Sequence, residues 1–144
     1  MDRPDEGMLD CIASIEQVRL VRLATGDDIL VGLRRYVDRH RIRNALVLGG
    51  FGSVSSFRFH VVASTALPPA EAYPQGDRAL DIAGMSGAVL DGRVHAHITF
   101  TDDRAALGGH LEEGCRVLTF AVISLGILPV AARLGGWDRL AARA

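Results

Sequence analysis

Apolar positions recur along this chain first at strand-like and then at helical intervals, and the changes mark its elements. Ile15 to Leu23 reads IEQVRLVRL, with Val18 and Leu20 on one face and Val21 and Leu23 on the other, the pattern of a strand buried on both sides. Thr25-Gly26-Asp27-Asp28 stops it with a turn and an acidic helix start. Ile29, Leu33, Tyr36, Val37 and His40 follow at helical spacing, which predicts a helix over Asp28–His40. Ala45–Leu48 predicts an apolar strand running into a tight turn at Gly49-Gly50-Phe51-Gly52-Ser53, and Phe57, Phe59 and Val61 predict another strand. Ser64–Asp77, with Pro68, Pro69, Pro74 and Gly76, reads as a loop.

The second half is more regular. Ala88-Val89-Leu90, Asp91-Gly92 and Val94–Ile98 form a hairpin signature, because Asp-Gly readily takes the positive backbone angles of a type I′ turn. A polar loop over Thr101–Leu107 leads to Gly108-Gly109-His110-Leu111, and a long apolar strand is predicted over Val117–Ile127. Leu134, Trp137 and Leu140 stand at helical spacing in the tail, although Gly135-Gly136 weakens a helix there. No repeat or low-complexity tract divides the chain. It reads as one domain over 1–144, with its core at about 15–128 and terminal extensions at 1–14 and 129–144.

Composition narrows the class. With 144 residues, 49% of them hydrophobic, the chain can fill a core without a structural metal or disulfide, so a metal would serve function. All 16 basic residues are arginines, set against 17 acids for a formal charge of -1, which is not the basic surplus of a protein that grips nucleic acid by its phosphates. The run Arg34, Arg35, Arg39, Arg41 and Arg43 reads as the solvated face of a helix. Cys11 and Cys115 have no CxxC spacing and are expected as free thiols in a reducing cytosol. Acids at the N-terminus argue against an export leader. The longest uncharged run, Val117–Ala132, falls short of the roughly 20 residues of a membrane helix. A cytoplasmic protein with no membrane contact is the expectation.

Three of the five histidines carry the candidate chemistry. Residues two apart on a strand share a face, so His95 and His97 can converge on one ion, while Gly108-Gly109 lets His110 approach from a loop. Three imidazoles suit zinc, iron, copper or nickel and leave a coordination position open. The same pattern is also that of a strand showing two polar residues to solvent, with His110 capping a loop. Asp81, Asp102, Asp103, Glu112 and Glu113 are the carboxylates available to orient an imidazole. His40 and His60 lack partners at useful spacing and read as structural. The glycine-rich turn at 49–52 lacks a Walker lysine, no serine stands in a GxSxG elbow, and Cys115 reads as inert core.

In order, Arg22-Leu23, Gly26-Asp27-Asp28, Leu33, Gly52-Ser53, Ser86-Gly87, Asp91-Gly92, His95-x-His97 and Gly108-Gly109-His110-Leu111-x-x-Gly114 resemble the plant and prokaryote conserved (PPC) domain family over about Val18–Ile127. The resemblance implies an α/β domain of the α+β type, with a largely antiparallel sheet and a helix laid on it, assembled as a homotrimer. It also implies that the histidines matching His95, His97 and His110 are retained as a metal site. In plant members the domain follows an AT-hook and handles trimerisation and protein partners, but this chain has no Arg-Gly-Arg-Pro core. Two further departures are Arg78–Ala83, where plant members read Gly-Arg-Phe-Glu-Ile-Leu, and Ala121-Val122, where a glutamate is often found.

Together these readings describe a homotrimeric module that binds a divalent transition metal, zinc first, through His95, His97 and His110. Its expected role is regulatory or ligand-sensing, with a small ligand or protein partner at the metal cleft and direct DNA contact disfavoured by charge. The alternative is a small metalloenzyme in which the open position activates water or polarises a carbonyl, with Glu112, Glu113 or Asp81 moving protons.

Overall fold

The apolar alternation of the chain is realised as one antiparallel sheet. The computed structural model describes residues 7–140; residues 1–6, on which the expectation about a leader rests, and 141–144 of the C-terminal extension lie outside it. In chain order the elements are β1 Gln17–Ala24, α1 Ile29–Arg39, β2 Asn44–Val54, β3 Phe57–Val62, the two-residue strands β4 Glu71–Ala72 and β5 Gln75–Gly76, β6 Leu80–Leu90, β7 Arg93–Thr101, β8 Ala106–Leu111 and β9 Val117–Ile127. The strands lie in the order β1-β9-β2-β6-β7-β8-β3-β4, with β5 paired to β3. The expected α/β balance is therefore corrected: the antiparallel sheet is there, but it dominates, and α1 is the one α-helix among the described residues.

α1 forms where the sequence predicts it. The Asp28 carboxylate accepts the Val31 N–H at 3.0 Å as N-cap, and its other oxygen accepts the Gly114 N–H at 2.7 Å, tying the helix start to the β8–β9 loop. Ile29, Leu30, Leu33 and Val37 are buried on the helix face turned to the sheet, in the same core as Ile98, Phe100, Leu111, Ile123 and Leu125.

Because the helix covers one sheet face only, burial on both sides of β1 is not what the structure shows. Val21 and Leu23 enter the core, but Val18 and Leu20 are 57% and 71% exposed on the edge strand. Three further expectations change. Gly49–Ser53 is no turn: β2 runs on through it, with register shifts between Val47 and Gly49 and between Gly52 and Val54. Gly108-Gly109 lies inside β8, where a Cβ on Gly108 would stand 2.9 Å from Thr99 Cα, so glycine serves close strand approach and not loop freedom. The tail over 129–140 forms turns instead of a helix. It is held by buried Asn44, whose Nδ2 donates to Ala132 O at 2.6 Å, and by Leu128, Ala132 and Leu134, which pack with Leu90 and Trp137.

Candidate metal centre

The β6–β7 hairpin closes at Asp91-Gly92, both with positive φ, as the Asp-Gly pair predicts. Its register places Ser86 opposite His97 and Ala88 opposite His95, and β7 pairs with β8 so that His97 stands opposite His110. The apolar alternation of Val94, Ala96, Ile98 and Phe100, all buried, forces His95 and His97 onto the other face.

There the three imidazoles converge. The His95 and His97 rings are nearly parallel at 9°, and His110 stands edge-on to both, at 78° and 80°. His95 Nε2 lies 3.2 Å from His110 Nδ1, and the ligand nitrogens of all three residues fall within 4.8 Å of one another. Burial, reinforced by neighbouring His95 and His60, pushes the His110 imidazole down to about 4. The same causes lower His97. Near neutral pH these two imidazoles are thus uncharged and present lone pairs, the form that ligates a metal.

None of the five carboxylates singled out from sequence orients this trio. Asp81 is exposed on β6, paired with Thr101. Asp102 accepts the backbone N–H groups of Arg104 and Ala105 in its own loop, which lowers its pKa, and Asp103 beside it is exposed. Glu113 pairs with Arg34 at 2.7 Å, and Glu112 turns to His60.

The orienting group is Asp138, which the sequence does not single out. Its Oδ2 accepts from His95 Nδ1 at 2.7 Å, while Oδ1 takes Arg93 Nη2. Burial works to raise this carboxyl, but the His95 hydrogen bond and the Arg93 guanidinium outweigh it and hold it below the ordinary carboxylate value. With Nδ1 so engaged, Nε2 is the nitrogen that His95 could offer a metal, the arrangement by which a carboxylate fixes a metal-ligating imidazole. Trp137, the chain's one tryptophan, lines a shallow cleft of about 190 Å³ with Gly87, Leu90, His95 and Asp138. Asp138→Asn keeps the shape and removes the charge, so it is expected to weaken binding of a transition ion about 10–100-fold. Chelator competition, with Co²⁺ quenching of Trp137 fluorescence as readout, checks this; an unchanged affinity would show that the orientation is dispensable.

Of the histidines read as structural, His40 caps α1 and packs tilted against Tyr36, at 4.3 Å between centroids and 43° between planes. His60 is different: it stands opposite His110 across β3–β8, and its Nδ1 is 2.6 Å from Glu112 Oε1. A signal for it existed. Alternation with Phe57 and Phe59 puts His60 on the polar face, and once β8 is a strand, Glu112 shares that face with His110. Cys115 is inert core as expected: buried, its Sγ bonded to Arg58 O at 3.2 Å, and its thiol pushed up to about 11 by burial. Cys11 is exposed and unbridged.

The lowered His110 value sets a pH dependence for the metal-free protein. Between about 4 and the ordinary 6.5, the unfolded chain holds a proton there that the folded chain does not. Stability therefore falls as pH drops through that window and levels off below it. The urea midpoint of chelated protein is expected to fall between pH 7 and pH 4.5, and to fall less in His110→Asn; equal falls would count against this origin.

An antiparallel sheet backed by one helix, with a histidine row on its open face, defines a small sheet domain that carries a candidate metal centre. The chain belongs to the Plants and Prokaryotes Conserved (PCC) domain family, whose model matches residues 12–129. It is similar to a metal-containing protein of Archaeoglobus fulgidus, at 22% identity and a TM-score of 0.73, covering 83% of this chain and 86% of that one. A candidate DNA-binding protein of Ralstonia eutropha JMP134 is 26% identical with a TM-score of 0.64, covering 76% and 77% of the two chains. The bifunctional protein GlmU of Synechococcus sp. (strain JA-3-3Ab) is 31% identical over 106 residues, 73% of this chain. The chain spans 16% of the length of the two GlmU relatives. Among the described residues, no helix is long and apolar enough to cross a membrane.

Proposed function

We propose that this chain is a cytoplasmic PCC-domain module that holds a divalent transition ion, zinc first, through His95, His97 and His110. The observation that carries the reading is the convergence of three imidazoles with His95 locked by Asp138. Three protein ligands leave a position for a small ligand or a protein side chain, which fits a regulatory or ligand-sensing role. The metal-containing character of the Archaeoglobus protein, which shares the fold, supports it.

Assembly belongs to the same reading. Val18 and Leu20 on β1, with Leu46, Leu48 and Phe51 on β2, form an exposed apolar stripe on the sheet face opposite α1, joined through β9. A homotrimer built through that stripe would cover it. The charge of -1 gives phosphate neutralisation little to work with, so direct duplex binding is left to the Ralstonia relative's description.

Elemental analysis of untagged protein, beside the triple variant His95→Ala/His97→Ala/His110→Ala and with solution mass on both, tests the proposal. Bound ion in the parent, none at these ligands in the folded variant, and a trimeric mass are expected. No ion in the parent even after reloading would sink the metal reading, and a monomer would sink the assembly.

A further inference from the structure

The imidazole row does not end at the metal trio. His60 stacks on His110 with 4.2 Å between ring centroids, and Glu112 Oε1 reaches His60 Nδ1 at 2.6 Å. On the far side of the His60 ring, Glu71 Oε1 of β4 lies 3.8 Å from Nε2. The ligand atoms of His60, His110 and Glu112 fall within 4.8 Å of one another, and all three residues are half-buried. Two ligand trios thus share one residue, His110.

We infer that His60, Glu112 and His110 form a second divalent-cation site, so that the row across β3, β8 and β7 is a two-ion centre. The inference rests on the three-histidine reading and extends it. Two imidazoles and a carboxylate are a donor set for zinc, cobalt or manganese ions. The short His60–Glu112 contact shares one proton, and an entering cation takes that proton's place between the same two atoms. Charge favours the position as well: Glu112 and Glu71 offset the positive charge that a second ion brings beside the first. His110 has two ring nitrogens, and its Nδ1 faces His95 Nε2, which leaves Nε2 for the second ion. Loading both sites therefore displaces the remaining His110 ring proton to solvent, while the His60 ring proton moves from Nδ1 to Nε2, on the side of Glu71.

The test is Co²⁺ titration of metal-free, full-length protein, followed by visible absorbance and by elemental analysis after equilibrium dialysis. The parent is compared with His60→Ala, Glu112→Gln and the double variant His95→Ala/His97→Ala, with circular dichroism confirming each fold. About two equivalents in the parent are expected, and about one in each variant, retained at the first site in His60→Ala and Glu112→Gln and at the second in the double variant. A stoichiometry that neither His60→Ala nor Glu112→Gln changes overturns the second site, whether it is one or two. One equivalent lost only in the double variant does so while keeping the first site, and no ion in the parent overturns both. Glu112→Gln keeps side-chain volume, so the test survives if His60→Ala fails to fold.

Discussion

Zinc is expected to raise the thermal midpoint of the metal-free protein by about 10 °C, and the triple variant His95→Ala/His97→Ala/His110→Ala should lose the whole shift. Free ion at a thousand times its dissociation constant stabilises the folded state by roughly 4 kcal/mol if the unfolded chain binds none. For a chain of this size each kcal/mol moves the midpoint by about 3 °C. The unfolded chain keeps the same histidines but not their convergence, which depends on β7 pairing with β8, so preferential binding to the folded state follows from the sheet. Calorimetric scans with zinc and with excess chelator make the comparison. A shift that persists in the folded triple variant would place the stabilising ion elsewhere.

The second large effect is expected at Gly87, a position with no side chain to offer a metal. Gly87 lies on β6 opposite Ala96, between the two hairpin histidines, at φ +134. A Cβ there would stand 2.8 Å from Ala96 Cα and still nearer to His95 O. Those are backbone atoms of the neighbouring strand, so no rotamer change relieves the clash. Gly87→Ala is expected to cost about 3–5 kcal/mol, a large part of the roughly 5–15 kcal/mol that holds such a domain together. It should also weaken metal binding, because relief requires β7 to move with His95 and His97. Gly49→Ala is the control: nothing lies within 4 Å of the point where its methyl group would stand and its φ is not positive, so a change of about 0.5 kcal/mol or less is expected. Urea midpoints of the two variants decide the matter; equal costs would remove close strand approach as the reason for glycine at 87.

Much of the fold was legible because its signals are local. The cap and apolar spacing of α1, the Asp-Gly turn between β6 and β7, and the run of β9 each lie within a dozen residues or so, and each element forms where that local chemistry points. His95 and His97 were legible for the same reason, since a strand's period of two puts both on one face whatever the strand pairs with. The glycines misled. Taken alone, Gly49–Ser53 and Gly108-Gly109 signal turns, whereas here they sit inside strands, and at Gly108 the reason is a neighbouring backbone too near to admit a Cβ.

Pattern and turn chemistry along the chain were enough for a largely antiparallel sheet with one helix laid on it, though not for how far the sheet dominates, and for the hairpin and two of the three candidate metal-site histidines on one face. Strand register decided the rest. It set His110 opposite His97, and His60 opposite His110, from segments far apart in sequence. The tail, anchored by Asn44, brought Asp138 to His95 across 43 positions. Such contacts depend on how strands stack and which backbones meet, energies shared among many residues, so no short stretch of sequence encodes them.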